Sequence, residues 1–271
     1  MEEKAQKLLR YYRTCYPFEK VFEMIPIDER REISFTLANS TYVRYNSFPS
    51  YKDLALRMEK LCPIRFDIGA VYQEPPTKGS TNKPLMKELV FDVDLTDYER
   101  KCCSSKTVCN SCFVIIKAGM KILDFSLRTE FGFEKVNFFF SGGRGLHCWV
   151  GDREALVLDD YKRRSICSYF STVLKKQMYP REYREILKEY SNEEGKALFE
   201  SLFVRLDSNV TSETKHLLKA PFCIHPKTEK VCVALSVESI DNISIEEIPT
   251  LDDVIENPSV LEPFVSNIVV K

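Results

Sequence analysis

Histidine is scarce in this chain, with three in 271 residues, and there is neither a long apolar run nor a low-complexity tract. The lack of an apolar run excludes a helical membrane span, so no membrane partner is expected. Without a low-complexity tract, the 44% hydrophobic and 29% charged residues describe a packed globular protein. The opening stretch MEEKAQKLLRYYRTCY lacks the apolar segment and small-residue cleavage site of a secretory leader, and an intracellular protein is expected. A strong net charge is also missing. The sum is −1, which argues against a protein that coats nucleic acid non-specifically. That sum is uneven: residues 233–271 hold eight Asp and Glu against one Lys, or −7, which leaves +6 on residues 1–232. A basic body of this size tolerates phosphates without requiring them.

Length permits burial of about 70–75% of the unfolded surface, in one large domain or a domain with a small lobe. Helical spacing predicts helices over 3–14 and 50–62, the second capped by Ser50, and a long amphipathic helix over 110–132 ending at Gly132. Period-two alternation predicts strands over 32–37, 41–48, 64–72, 88–95, 203–210 and 221–228. Sorted by face, Ile33, Phe35, Val43, Tyr45, Phe66, Phe91, Val93 and Leu206 form an apolar set expected in the core. The opposite set is Glu32, Arg44, Arg65, Asp67, Asp92, Asp94, Arg205, Asp207 and His225. For any single strand, this polar set also fits a face turned to water. VNFFFSGGRGLHCWV (136–150) has the signature of a hairpin. Residues 152–202 read as a small helical lobe split at Pro180, inserted into a core made of 1–151 and 203–271, and one short helix is expected in the tail at 250–256.

Four stretches carry residues suited to chemistry. Asp92 and Asp94, two apart on a strand, point the same way with Cα atoms about 6–7 Å apart. That spacing suits carboxylates gripping divalent cations, with Asp207 as a third ligand, and it equally suits a strand end exposed to water. In SGGRGLH, Gly142, Gly143 and Gly145 free the backbone for positive φ, so that successive N–H groups can cradle an anion beside Arg144 and His147; a plain hairpin turn is the other reading. KHLLKAPFCIHPKT brings Lys219, His225 and Lys227 around an apolar centre, although a lone histidine before proline is more often structural. Cys102, Cys103, Cys109 and Cys112 form CC-x5-C-x2-C, four thiols in eleven residues, which fits a closed structural Zn2+ site better than a set of buried thiols in so polar a segment.

Taken in order, REISFTL, YVRYNSF, DIGAVY, ELVFDVDLTDY, CC-x5-C-x2-C, FFFSGGRGLHCWV, RLDSNVT and HLLKAPFCIHPKT resemble the catalytic (small) subunit of archaeal and eukaryotic DNA primase, the eukaryotic type more closely. The resemblance covers residues 1 to about 235. It implies an α+β fold of mixed, largely antiparallel sheets with flanking helices and a zinc knuckle. The implied activity is DNA-directed RNA polymerase synthesis of short primers from ribonucleoside triphosphates on single-stranded DNA. The implied ions are two catalytic Mg2+ or Mn2+ on Asp92, Asp94 and Asp207, with a structural Zn2+ on the four cysteines. Matched by motif, Glu32 joins the catalytic set. The nucleotide-binding set comprises Ser141, Gly142, Gly143, Arg144, Gly145, His147, His216, Lys219, His225, Arg44 and Asp67, with Arg44 nearer the triphosphate and Asp67 nearer the ribose.

Implied partners are a large iron–sulfur subunit, the DNA polymerase alpha complex, the template and the RNA primer, with the nucleus as location. The sequence departs from the family pattern in two places. Animal members resemble S-G-R-R-G-x-H at the glycine turn, whereas Gly143 stands here for the third residue, so one cationic contact is missing. The helical lobe and tail are also shorter than usual. Two other activities fit the same motifs: a repair-type primase-polymerase using deoxynucleotides, and a non-catalytic zinc protein that binds nucleotide or single strands.

Overall fold

The computed structural model describes residues 2–103 and 108–270. Residues 104–107, inside the cysteine cluster, lie outside the described residues. The chain opens with helices α1 (Glu2–Thr14) and α2 (Phe18–Met24), then forms β1 (Arg31–Thr36), β2 (Tyr42–Asn46), α3 (Tyr51–Leu61), β3 (Arg65–Tyr72) and β4 (Pro84–Met86). A second series is β5 (Leu89–Asp94), α4 (Asn110–Phe125), β6 (Val136–Phe140) and β7 (Gly145–Val150). Helices α5 (Arg153–Leu156), α6 (Asp160–Lys175), α7 (Arg181–Lys188) and α8 (Gly195–Leu202) follow. The rest is α9 (Ser208–Ser212), β8 (Leu218–Lys219), β9 (Val233–Leu235), α10 (Leu251–Glu256) and α11 (Glu262–Val265).

Two antiparallel sheets result, giving the expected α+β class. One runs β2-β1-β3-β4 with β8 also on β3, and the other runs β5-β7-β6-β9. Burial explains the second sheet. Leu89, Val90, Phe91 and Val93 of β5 are fully buried, as are Phe139 and Phe140 of β6, so the strand's carboxylates are left to the open face. Helix α4 covers the sheet, with Phe113 set edge-on to Phe140 at 5.5 Å. Tyr11 and Tyr12 of helix α1, and Tyr16 just after it, are buried, and their hydroxyls donate to Phe222 O at 2.7 Å, Pro63 O at 3.0 Å and Pro221 O at 2.7 Å. These bonds satisfy the buried hydroxyls and fix the 221–222 turn beside β8.

Helices α5 to α8 lie against this body, joined to it through Arg163 of α6. The Arg163 side chain is fully buried and donates to the carbonyls of Leu158, Ala155, Glu88 and Lys87. Burial pulls its pKa down to about 10, against the opposing pull of Glu88 and two aspartates, and it stays charged. Arg163→Met should destabilise the protein by about 3 kcal/mol or more, because carbonyls of the β4–β5 junction and of the α5–α6 stretch lose their donor in a dry site. Urea unfolding checks this, and a change below about 1 kcal/mol would mean that water replaces the guanidinium.

The structure corrects several expectations. Residues 203–210 form no strand: Phe203 and Val204 are both buried, and Asp207 caps α9 by accepting from the N–H of Asn209 at 2.9 Å. Residues 221–228 are a turn with a single bridge, Ile224 to Val231, and Phe222 sits at φ 60°. The β1–β2 register slips between Ile33 and Phe35, and Tyr45, at φ 63°, is turned out and exposed instead of facing the core. The long helix stops as α at Phe125 and closes with a wider turn over Ser126–Glu130. The tail holds more than its one expected helix: β9 extends the second sheet, and further turns and α11 follow.

Candidate functional site

Register brings the motifs together. On the second sheet, Asp92 of β5 pairs with His147 of β7, and Asp94 pairs with Gly145, so the carboxylate strand lies beside the glycine turn. On the first sheet, Asp67 of β3 pairs with Ser34 on one side and Lys219 on the other. Lys219 then reaches across to the carbonyl of Ser141 and ties the two sheets at the cleft. Asp207 arrives without a strand: its N–H donates to the carbonyl of Asp92 at 3.0 Å, which sets it beside the Asp92/Asp94 pair. The cleft holds a cavity of about 280 Å³ lined by Asp92, Asp94, Arg144, His147, Lys219 and His225, with Arg65, Asp67, Ser141, Gly145 and His216 also on its wall.

The electrostatics of this cleft are strained in a particular way. Burial, then the charges of Asp94 and Asp207, push the Asp92 carboxyl up to about 7, with Lys219 opposing. Carboxylates that raise one another are stabilised by a cation, and oxygen ligands of this kind suit Mg2+ or Mn2+. The opposite wall is basic. Arg144 approaches Asp94 at 3.8 Å, and burial together with Lys219 and Arg65 pulls His147 down to about 3, so its imidazole is neutral 3.8 Å from Asp92. Three buried polar atoms on the wall, Arg65 Nε, Asp67 Oδ1 and His147 Nδ1, have no hydrogen-bond partner among the described residues. Arg65 Nε and Asp67 Oδ1 are 3.3 Å apart, close enough for charge attraction but misaligned for a hydrogen bond. Unpaired polar groups in a dry wall are costly, and a polar ligand relieves them.

The glycine turn works differently from the cradle expected for it. Of its glycines only Gly142 has positive φ, at 76°. The N–H groups of Gly143 and Gly145 converge on the Ser141 hydroxyl, at 3.3 and 2.9 Å. Gly143 is needed for close approach instead, since a Cβ there would lie 2.6 Å from His225 Nε2.

Glu32 and Arg44 pair away from the cavity wall. Glu32 is fully buried and takes both Arg44 bonds, at 2.9 and 3.1 Å, together with the Tyr72 hydroxyl at 3.1 Å. Its oxygens are occupied in holding Arg44, which is one-third exposed. Arg205, from the polar set, turns away over the Tyr98 ring and bonds Asp97 O and Glu200 O. Arg65 lines the cavity although it was absent from the candidate site residues. Its signal was present: it lies two residues before Asp67 on the same strand face.

The cysteines form a separate cluster. The sulphurs of Cys102, Cys103, Cys109 and Cys112 lie within 4.8 Å of one another, with Cys103 to Cys112 at 3.6 Å and Cys109 to Cys112 at 3.9 Å. A tetrahedral Zn2+ with bonds of about 2.3 Å requires edges of about 3.8 Å, so this donor set fits zinc. The Arg100 guanidinium lies 3.6 Å from Cys103 Sγ and 3.5 Å from Cys112 Sγ, where it would offset thiolate charge.

Comparison with known proteins finds relatives along most of the chain. The family model described as DNA primase small subunit matches residues 91–237. The DNA primase small subunit of Schizosaccharomyces pombe is 29% identical over 93% of this chain and 77% of its own length. That of Saccharomyces cerevisiae is 32% identical over 90% and 83%. Among solved structures, the polymerase domain of Mycobacterium tuberculosis ligase D in complex with DNA overlaps 93% of this chain and 92% of its own, at a TM-score of 0.47 and 14% identity.

Proposed function

The chain belongs to the DNA primase small subunit family, a family of nucleotidyltransferases, and from that premise we propose that it makes RNA primers from ribonucleoside triphosphates on single-stranded DNA by two-metal nucleotidyl transfer. The observation that carries this reading is the convergence of Asp92, Asp94 and Asp207 opposite Arg144 and Lys219.

Asp92, Asp94 and Asp207 are the residues that would hold two Mg2+ or Mn2+. Such ions lower the pKa of an attacking hydroxyl and neutralise the departing pyrophosphate. The remaining work falls to the protein's own groups. Arg144 and Lys219 bind the phosphate oxygens, and their charge counters what develops there as the primer 3′-oxygen bonds the α-phosphorus and the bond to pyrophosphate breaks. His147 and His225 are both held neutral, His225 at about 4 through burial and then Lys219, so each offers a hydrogen bond without adding charge. Asp67, fixed by the Ser34 hydroxyl at 3.0 Å, faces the cavity where a ribose would sit. A proton on Asp92 must leave before a cation binds, which ties activity to pH near neutrality.

The relatives are named as small subunits, and we assign this chain a large-subunit partner, with the iron–sulfur protein and polymerase alpha complex as the expected assembly. On unprimed single-stranded DNA with Mg2+ or Mn2+, ATP and GTP should yield dinucleotides and short primers. Products from dATP and dGTP alone would point to the repair-type polymerase, and no product from either set, with the large subunit present, would point to a binding protein.

A further inference from the structure

His225, on the cavity wall, is held from two sides. The backbone N–H of Thr228 donates to His225 Nδ1 at 3.2 Å, so that nitrogen carries a lone pair. The Thr228 hydroxyl lies 3.0 Å from the same nitrogen, but its proton is committed to the carbonyl of Gly142 at 2.5 Å. Its oxygen in turn accepts from the N–H of Lys230 at 3.3 Å. One threonine therefore joins the glycine turn to the histidine. On the other side, the imidazole edge fills the volume that a side chain at 143 would take: a Cβ there would meet Nε2 at 2.6 Å and Cδ2 at 2.8 Å.

We propose that Thr228 is a positioning residue that locks His225 as the Nε2–H tautomer against Gly143, so that a neutral N–H donor faces the nucleotide phosphates beside a glycine turn that carries a single arginine. The proposal rests on the nucleotide-site reading above for what the donor meets, but the lock itself does not. A neutral donor suits a wall that already carries Arg144, Arg65 and Lys219, because another cation there would repel them. Gly143 gives up a side chain so that the edge of the ring can pack against the turn. Thr228 holds the ring and turn at a fixed separation as both meet the triphosphate.

Only three histidines are present, so selective 15N-histidine labelling of the full chain gives a readable spectrum. In the nucleotide-free protein at neutral pH, His225 should show an unprotonated Nδ1 and a protonated Nε2. A protonated Nδ1, or a charged ring, overturns the lock whether or not nucleotide binds. Thr228→Val keeps the backbone bond but cuts the tie to Gly142, and it should raise KM for the incoming nucleotide about five- to tenfold while kcat changes less than about twofold. Thr228→Ser should restore KM. Unchanged KM in Thr228→Val overturns the positioning role. Gly143→Ala is the second arm: its Cβ should displace the ring and shift the His225 resonances, and an unmoved spectrum sinks the close-packing claim. A wild-type protein that shows the tautomer but binds no nucleotide would overturn the functional reading and leave the lock standing, with only its assigned ligand lost.

Discussion

Asp92→Asn is expected to abolish dinucleotide synthesis and, in metal-free buffer at pH 8, to make the protein more stable. Both effects have one cause. Burial and the charges of Asp94 and Asp207 push the Asp92 carboxyl from 3.8 up to about 7. The folded state therefore holds that proton more tightly than the unfolded chain does. This contribution favours folding fully below pH about 4, and it is lost as the pH rises through 7. The whole difference would be worth about 4 kcal/mol above pH 8. With 27% of the side chain open to water, about 2 kcal/mol is a fairer figure. Asparagine removes the buried charge at little change in volume, so the melting temperature at pH 8 with chelator should rise by about 5 °C. The gain should vanish at pH 4, where the wild-type carboxyl is protonated as well. It should also shrink when Mg2+ or Mn2+ is added, because the cation relieves the wild type alone. Activity should fall by at least about a thousandfold, since a neutral amide cannot replace a carboxylate between two cations. Asp94→Asn should lose activity similarly while keeping its turn, because the amide oxygen can still accept from the N–H of Thr96 at 2.8 Å. Normal primer yield from either variant would remove the metal assignment, and a lower melting point for Asp92→Asn at pH 8 would remove the electrostatic one.

The Asp92/Asp94 pair was legible because it lies on an unbroken ladder. Along β5 every residue has a partner on β7, so period-two alternation reports the face of each side chain, and Phe91 and Val93 go in as Asp92 and Asp94 go out. The same argument fails where the ladder is broken. Residues 203–210 alternate like a strand, but Asp207 followed by Ser208 and Asn209 offers a cap, and local bonding to Asn209 begins a helix instead. Asp207 still reaches the site, through one backbone bond to Asp92 that no pattern of side chains encodes. Tyr45 shows the failure within a strand: a register slip opposite Ile33 and Phe35 inverts its face, and the neighbouring Arg44 turns back onto Glu32. The glycine turn is special in its composition, yet its reason lies far along the chain from Gly143, in the ring of His225. Close approach between distant segments leaves no periodic trace, which is also why Ser141 could not be seen as the acceptor for the turn's N–H groups.

On the zinc reading of the cysteine cluster, loss of the metal should cost the protein much of its stability. The four cysteines close the connection between the end of β5 and the start of α4: Cys109 caps that helix and Cys112 lies in its first turn. Without the metal, four thiolates within 4.8 Å of one another repel one another or must protonate. With the metal, binding free energy becomes folding free energy, on the order of 10 kcal/mol for structural zinc sites. The purified chain should therefore contain one equivalent of zinc. Cys112→Ser should lose it and melt more than about 10 °C lower. Helix α4 carries Phe113 against Phe140, and Phe140 leads directly into the turn that holds Ser141 and Arg144, so primer synthesis should weaken as well. The activity loss should be partial and should recover at lower temperature, because the carboxylates themselves stay on β5. Arg100→Ala should give a milder version, with slower zinc retention against chelator and an unaltered content at saturation. Zinc-free wild type with an unchanged melting point, or Cys112→Ser with full zinc content, would show that these thiols do not form the metal site.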